Sequence, residues 1–185
     1  MSQFLSDKVF YIPGLKMVPE PSATFYKLKS YFTSKVDLME YDVRDPEGSL
    51  SKMLSQVDGY HKSDIDVIIV ASSLGGWFAK CIARLRTVGV VLYNPSMYPE
   101  RSLSKYGIEK EVLAKYKEMQ FLNLADSLYR VVLCEDDEVI SHKMAEEYFK
   151  DYTIIHTKGG HRMTQENLEH IIIPQINSLS QTFYL

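Results

Sequence analysis

Asp66-Val67-Ile68-Ile69-Val70-Ala71-Ser72-Ser73-Leu74-Gly75-Gly76-Trp77-Phe78-Ala79 is the stretch whose reading decides the fold. Its first half is an unbroken apolar run of strand length, the pattern of a strand covered on both faces of a sheet. Its second half opens directly into a helix-forming segment. Ser73-Leu74-Gly75 is the second half of a nucleophile-elbow pattern, in which a sharp strand-to-helix turn lifts a serine hydroxyl above the sheet edge. Small neighbours are needed there because the turn brings strand and helix backbones together. Ala71 stands where that pattern has its first glycine, and alanine is the next smallest side chain. The same residues also describe a Gly-Gly loop after a buried strand in a nucleotide-binding or flavodoxin-like fold, so the flanking chain has to decide.

Outward from this stretch, strands and helices alternate. Val9-Phe10-Tyr11-Ile12 reads as a first strand, ended by Pro13-Gly14. Ser22 can cap a helix with apolar positions Phe25, Leu28, Tyr31 and Phe32. Val36 to Tyr41 alternates as a second strand near an edge, and a helix follows from Gly48. Beyond the elbow, Trp77, Phe78, Cys81, Ile82 and Leu85 cover most of a helix surface, as expected of a helix packed firmly on the sheet. Val88–Tyr93 is the fourth strand, closed by Asn94-Pro95. Leu128–Cys134 is the fifth, followed by a helix from His142 to Phe149. Tyr152–Thr157 is the sixth, and the final helix carries Leu168, Ile171 and Ile172 before Pro174, where a kink or break is expected. Residues 96–127 show no strand; they read as a helical, lid-like insertion over the top edge of the sheet. Such alternation implies an α/β fold of about six mostly parallel strands flanked by helices.

Composition bounds the partners. At 185 residues the chain is one domain of ordinary size. A 45% hydrophobic and 24% charged composition is that of a globular protein, and a net charge of -3 with pI near 6.0 gives no electrostatic case for nucleic acid or an anionic membrane. No apolar run is long enough for a transmembrane helix, and the first residues lack the pattern of a secretory signal, so a cytoplasmic location is expected. Cys81 and Cys134 read as buried reduced thiols; neither has ligand spacing, and no metal or cofactor is expected.

In a parallel doubly wound sheet the ligand lies beyond the carboxyl ends of the strands. Those ends carry Pro13-Gly14-Leu15, Ser72-Ser73-Leu74, Asp136-Asp137 and Gly160-His161. Serine, then an acid after a later strand, then histidine after the last strand is the chain order of a hydrolytic Ser-His-Asp set. Histidine takes and returns the proton, the carboxylate holds its tautomer, and backbone N–H groups receive the oxygen that becomes negative. Leu74 N–H, just past the serine, and Leu15 N–H, after Gly14, are the candidate donors. Ser72 occupies the variable position of the elbow and should face away. Asp136 competes with Asp137 for the acid, its plain alternative being a helix cap, and Glu138 is an outside choice. Among five histidines, His161 after the Gly-Gly turn is the candidate base. Trp77 and Phe78 read as core rather than as an acyl pocket; Tyr98, Tyr106 and Phe121 in the insertion are the candidate substrate-lining aromatics.

These motifs resemble the small bacterial esterases of the YqiA type within the α/β-hydrolase superfamily. The matching pieces are Tyr11–Leu15, Ser72–Ala79, Leu92-Tyr93-Asn94-Pro95-Ser96, Asp137-Glu138-Val139-Ile140 and Gly159-Gly160-His161-Arg162, which together span nearly the whole chain. The resemblance implies a compact hydrolase core acting on short acyl esters, with nucleophile Ser73, acid Asp137 and histidine His161. Pro13 departs from the family's usual histidine and Ala71 from its usual glycine. The expected function is hydrolysis of a small carboxylic ester or thioester through an acyl-enzyme. A hydrolase-fold binding protein and an acyltransferase are the alternatives.

Overall fold

The computed structural model describes residues 7–15, 22–121 and 127–183. Six strands, β1 (Lys8–Ile12), β2 (Val36–Leu38), β3 (Val67–Ser72), β4 (Gly89–Tyr93), β5 (Leu128–Cys134) and β6 (Thr153–Thr157), form one sheet in the order β2-β1-β3-β4-β5-β6. Every neighbouring pair is parallel. The chain leaves β1 for the β2 edge, then returns to β3 and runs to the opposite edge. The crevice between β1 and β3 is therefore the switch point, where such sheets bind ligands. Pro13–Leu15 and Ser73 leave the sheet on its two sides.

All six positions of β3 are buried. Val67, Ile69 and Ala71 join one apolar cluster, Ile68 and Val70 the other, as the two-residue period of a strand requires. On the first face lie α2 (Pro46–His61), α3 (Leu74–Leu85) and α5 (Lys110–Glu118); on the second lie α1 (Ala23–Phe32) and α8 (Ile173–Thr182). Residues 74–83 of α3 are all buried, because the sheet covers one side of the helix, α2 packs beside it and Tyr116 of α5 lies against Trp77 and Phe78. The Trp77 and Phe78 rings meet edge to face at 5.0 Å, and Tyr116 of α5 lies 4.7 Å from Trp77. Burying a side chain such as Phe78 is worth about 1.5–3 kcal/mol. Both rings are core, as their helix pattern implies.

Local chemistry sets the helix starts. The Ser22 hydroxyl accepts from Phe25 N at 3.2 Å, and Asp45 Oδ1 accepts from Gly48 N at 3.1 Å with Pro46 in the first turn. That second cap starts α2 two residues before Gly48, where the sequence reading placed it. In α1 only Leu28 is fully buried, and Tyr31 is 46% exposed, so the apolar stripe is narrower than its spacing implied. The second strand is three residues long at the sheet edge, not six.

At Pro174 the expected interruption takes the form of a π turn. The chain runs through α7 (Gln165–Asn167), a π turn over Leu168–Ile172, and α8, with Pro174 in the first turn of α8. Proline lacks the N–H that would bond four residues back, and its ring crowds that carbonyl. A widened turn just before it absorbs both problems, so the helix continues.

The segment after β4 contains α4 (Pro99–Ser102), a 3-10 turn over Leu103–Tyr106, α5 and a second 3-10 turn over Met119–Phe121. Its Met97, Leu103, Ile108 and Tyr116 share the apolar cluster of α3, and the Tyr116 hydroxyl donates to Val43 O at 3.1 Å. Among the described residues no helix is long and apolar enough to cross a membrane, and both cysteines are free and buried.

Two glycines make opposite predictions. A Cβ at Gly75 would collide with the carbonyl oxygens of Ile12 and Pro13, whereas one at Gly59 meets nothing within 4 Å. Gly75→Ala should cost about 1–3 kcal/mol or more by overpacking. Gly59→Ala should add about 0.5–1 kcal/mol by restricting the unfolded chain. Urea midpoints measure both, and an unchanged midpoint for Gly75→Ala would show that α3 is not pinned there.

Candidate active site

The elbow is built by backbone approach. Ser73 has φ 50° and ψ -121°, a conformation that costs a non-glycine residue of order 1–3 kcal/mol. Its backbone is held on both sides: Ser73 N donates to Tyr93 O at 3.0 Å, and Ser73 O accepts from Gly76 N at 3.0 Å and Ser96 N at 2.9 Å. Gly75 lets the first turn of α3 sit on the end of β1, and Gly76 lets it pass Pro95. Ala71 lies within β3, buried and paired with Ile12 and Leu92, so the backbone approach falls on Gly75 and Gly76. Ser72 faces away, with its hydroxyl 3.4 Å from Tyr11 Oη.

His161 Nε2 lies 3.0 Å from Ser73 Oγ, and His161 Nδ1 lies 2.9 and 3.1 Å from the two oxygens of Asp137. An ionised carboxylate only accepts, so it selects the tautomer with the proton on Nδ1. Nε2 then accepts from the serine hydroxyl. The Asp137 side chain is fully buried. Its Oδ1 also accepts from Val139 N at 2.7 Å and Ile140 N at 3.0 Å. Burial pushes the Asp137 carboxyl up, but the His161 bond and the two backbone donors together outweigh it and hold the group below the usual carboxylate range.

Asp136, the competing acid, turns elsewhere. Its Oδ1 accepts from Gly159 N at 2.9 Å and Gly160 N at 3.0 Å. Those donors, Gly160 first, lower its pKa. The next helix, α6, begins only at Lys143, so Asp136 does not cap it. Glu138 Oε2 accepts from His161 N at 3.0 Å. A second histidine, His142, donates from Nε2 to Cys134 O at 2.8 Å and stands 3.7 Å from Asp137.

On the other side of the crevice, a Cβ at Gly14 would lie 3.1 Å from Ser73 Cβ, so the loop after β1 lies against the serine. Among the described residues neither Leu15 N nor Leu74 N donates to another protein group. Pro13 O accepts from the Tyr41 hydroxyl at 3.1 Å, and the Tyr41 ring packs on Phe78 at 4.6 Å. Burial pushes the Tyr41 phenol well above its ordinary value, keeping it a donor.

The aromatics of the segment between β4 and β5 are arranged differently. Tyr98 packs on the cluster beside α3 with the Arg101 guanidinium 4.6 Å from its ring. Tyr106 is 39% exposed beside Lys105. The Phe121 side chain lies outside the described residues. A depression of about 560 Å³ opens behind the acid loop, lined by Glu135, Ile140, His142, Lys143, Glu146 and His156; Asp137 contributes to it, whereas Ser73 and His161 do not. Among the described residues no group of three or more histidine, cysteine or acidic side chains is placed to hold a metal ion.

Sequence reasoning missed Asn94. It is fully buried with φ 45°, donates from Nδ2 to Gly160 O at 3.0 Å and accepts at Oδ1 from Cys134 N at 2.8 Å. The Asn94-Pro95 dipeptide after an apolar strand marks a turn, but its reach across two strands is not visible in one dimension.

Depressed carboxylate pKa values make stability fall with acid. A group lowered in the folded state contributes stability that is present above its unfolded value of about 4 and is lost as pH falls through the lower folded value. The wild type should therefore lose stability below about pH 4, and Asp137→Asn should lose less between pH 4 and pH 2, with urea midpoints across that range as the measurement. Equal acid slopes in the two proteins would contradict the ionised, hydrogen-bonded Asp137.

The arrangement can be set beside known proteins. A Citrobacter koseri protein described as "UPF0227 protein" is 26% identical over 131 residues, covering 68% of this chain and 73% of that one. A monoacylglycerol lipase of Paleococcus ferrophilus superposes with a TM-score of 0.64 at 13% identity, covering 94% of this chain and 93% of that chain. An alpha/beta hydrolase enzyme from the sediment metagenome of the Mar Chica lagoon in Morocco gives 0.60 at 18% identity, covering 96% and 90%. At such identities the structural likeness speaks for the fold alone, which is the α/β-hydrolase fold. Residues 8–179 match the uncharacterised protein family UPF0227, a span that holds all six strands together with Ser73, Asp137 and His161, and the chain belongs to that family.

Proposed function

We propose that this chain is a serine hydrolase that cleaves a small carboxylic ester or thioester through an acyl-enzyme intermediate. The observation that carries the reading is the continuous hydrogen-bonded line from Ser73 Oγ through His161 to the buried Asp137, set at the end of a strained strand-to-helix turn.

The chemistry follows from those positions. Ser73 Oγ attacks the acyl carbon as its proton passes to His161 Nε2, and the electron pair of the carbonyl moves onto oxygen. Leu74 N–H and Leu15 N–H are the donors assigned to that oxygen, each such donor being worth about 3–4 kcal/mol in the transition state. The oxygen or sulfur leaving group departs with the proton from His161. Water then repeats the sequence, its proton passing through His161 to Ser73 as the acid is released. An alcohol or amine in place of water would turn the same intermediate into a transfer product.

Pro13 does not remove the donor from this loop, since the following residues supply Leu15 N–H. The Tyr41 hydroxyl on Pro13 O and the Gly75 contact hold the loop against α3. Ser96, whose N–H holds the Ser73 carbonyl, leads directly to Tyr98, so the start of the insertion is assigned to the acyl-side wall. Such a reaction needs a small acyl ester and no cofactor.

Ser73→Ala and His161→Ala should each lower kcat/KM for a p-nitrophenyl acyl ester by at least about 10³-fold without unfolding the protein. A fluorophosphonate should label Ser73 in the wild type and leave Ser73→Ala unlabelled. An unlabelled wild type would favour a binding protein on this fold, and undiminished turnover in Ser73→Ala would remove serine from the reaction.

A further inference from the structure

Three of the four consecutive acidic residues after β5, Asp136, Asp137 and Glu138, end on the histidine loop, yet only Asp137 reaches the imidazole. Asp136 takes the N–H groups of Gly159 and Gly160, and Glu138 takes the N–H of His161 itself. The loop has no regular structure to hold it. Gly159 and Gly160 have φ of 137° and 71°, where L side chains rarely sit. Successive glycines in such conformations present adjacent N–H groups to one side, a concavity suited to an anion. Here the anions are the protein's own carboxylates. From the opposite side, Asn94 Nδ2 donates to the carbonyls of Gly160 at 3.0 Å and His161 at 3.4 Å. Residues 159–161 are half-buried, and their backbone is held by hydrogen bonds with Asp136, Glu138 and Asn94.

We propose that Asp136 and Glu138 are positioning residues that fix the Gly159–His161 backbone so that the imidazole stands between Asp137 and Ser73. The proposal rests on the serine-hydrolase reading for its kinetic consequence, though not for its geometry. Bonds from N–H to an ionised oxygen are shorter and stronger than neutral ones, which suits an exposed clamp. Asn94 supplies the fixed counter-face, because its own Oδ1 is tied to β5 through Cys134 N. Without the two carboxylates the loop can slide on Asn94. His161 Nε2 then leaves the 3.0 Å approach to Ser73 Oγ.

The amide variants separate holding from charge. Asp136→Asn keeps an Oδ1 able to accept from both glycines, and Glu138→Gln keeps an acceptor for His161 N, while the alanine variants keep neither. A displacement of about 1 Å can cost about 10²-fold in rate, so Asp136→Ala and Glu138→Ala should each lower kcat by about 10- to 100-fold with KM within about twofold, and the amide variants should recover to within about fivefold of wild type. In parallel, the proton on His161 Nδ1 should be seen by NMR in the wild type and the amide variants. It should be lost or broadened in the alanine variants. If the alanine variants retain wild-type kcat, if alanine and amide variants fall equally, or if KM alone changes, the positioning role is overturned. Should the wild type itself neither label nor turn over, the hydrolase reading fails, and the NMR comparison decides the positioning role. An unchanged Nδ1 proton in the double alanine variant would then overturn it.

Discussion

Helix α3 starts with its first turn pressed on the carbonyl oxygens of Ile12 and Pro13, and glycine at position 75 is what lets the two backbones come so close. The rest of the site depends on that contact. It forces the sharp exit from β3, which puts Ser73 at positive φ with its backbone tied to Tyr93 and Ser96. It also lays Gly14 against Ser73, so that the loop after β1 and the start of α3 face each other across the switch point. A helix packed this tightly needs mostly apolar side chains, and residues 74–83 are all buried, Lys80 among them with its ammonium over the Tyr148 ring. The strain at one serine is offset by the packing of Trp77, Phe78 and Tyr116 behind it.

The other half of the site obeys a different rule. Asp137 and His161 lie on loops, and loops at a sheet edge have little apolar surface to fix them. Hydrogen bonds do that work here. The Asp137 side chain is fully buried, and His161 with two backbone N–H groups outweighs the desolvation that burial imposes and holds the carboxyl below its usual range. Asn94 joins the end of β5 to the histidine loop from below, with Tyr93 Oη 3.4 Å from Gly160 O. Ser73 is thus placed by packing and its partners by polar contacts. The two halves meet at the 3.0 Å contact between Ser73 Oγ and His161 Nε2.

Much of this was readable in advance, for identifiable reasons. A parallel sheet returns every strand's carboxyl end to one rim, so the chain order of Ser73, Asp137 and His161 brought them together without knowledge of any contact. The strand positions were legible because buried strands are continuous apolar runs, as in β3 and β5. The errors lie where local pattern is weakest. Tyr31 has helical spacing but stands exposed, since periodicity does not say how far a stripe is covered. Pro174 reads as a kink or break, and only the structure shows that the interruption is a π turn just before it. Asp136 reads as a helix cap or a rival acid, and turns instead to backbone donors 23 and 24 residues away.

By itself the sequence determined the fold class, the rim on which the chemistry-bearing residues gather, and the residue at each position of the elbow. Those follow from periodicity, from small residues where backbones must approach, and from the order of strands. Only the tertiary structure decided which of two adjacent aspartates meets His161, what holds the histidine loop, and how Pro13 is accommodated. Each of those depends on the direction of one side chain across a gap between distant segments: Asp136 toward Gly159, Asn94 toward Gly160, Tyr41 toward Pro13. Hydrogen-bond direction is set by three-dimensional approach, and sequence spacing carries no record of it.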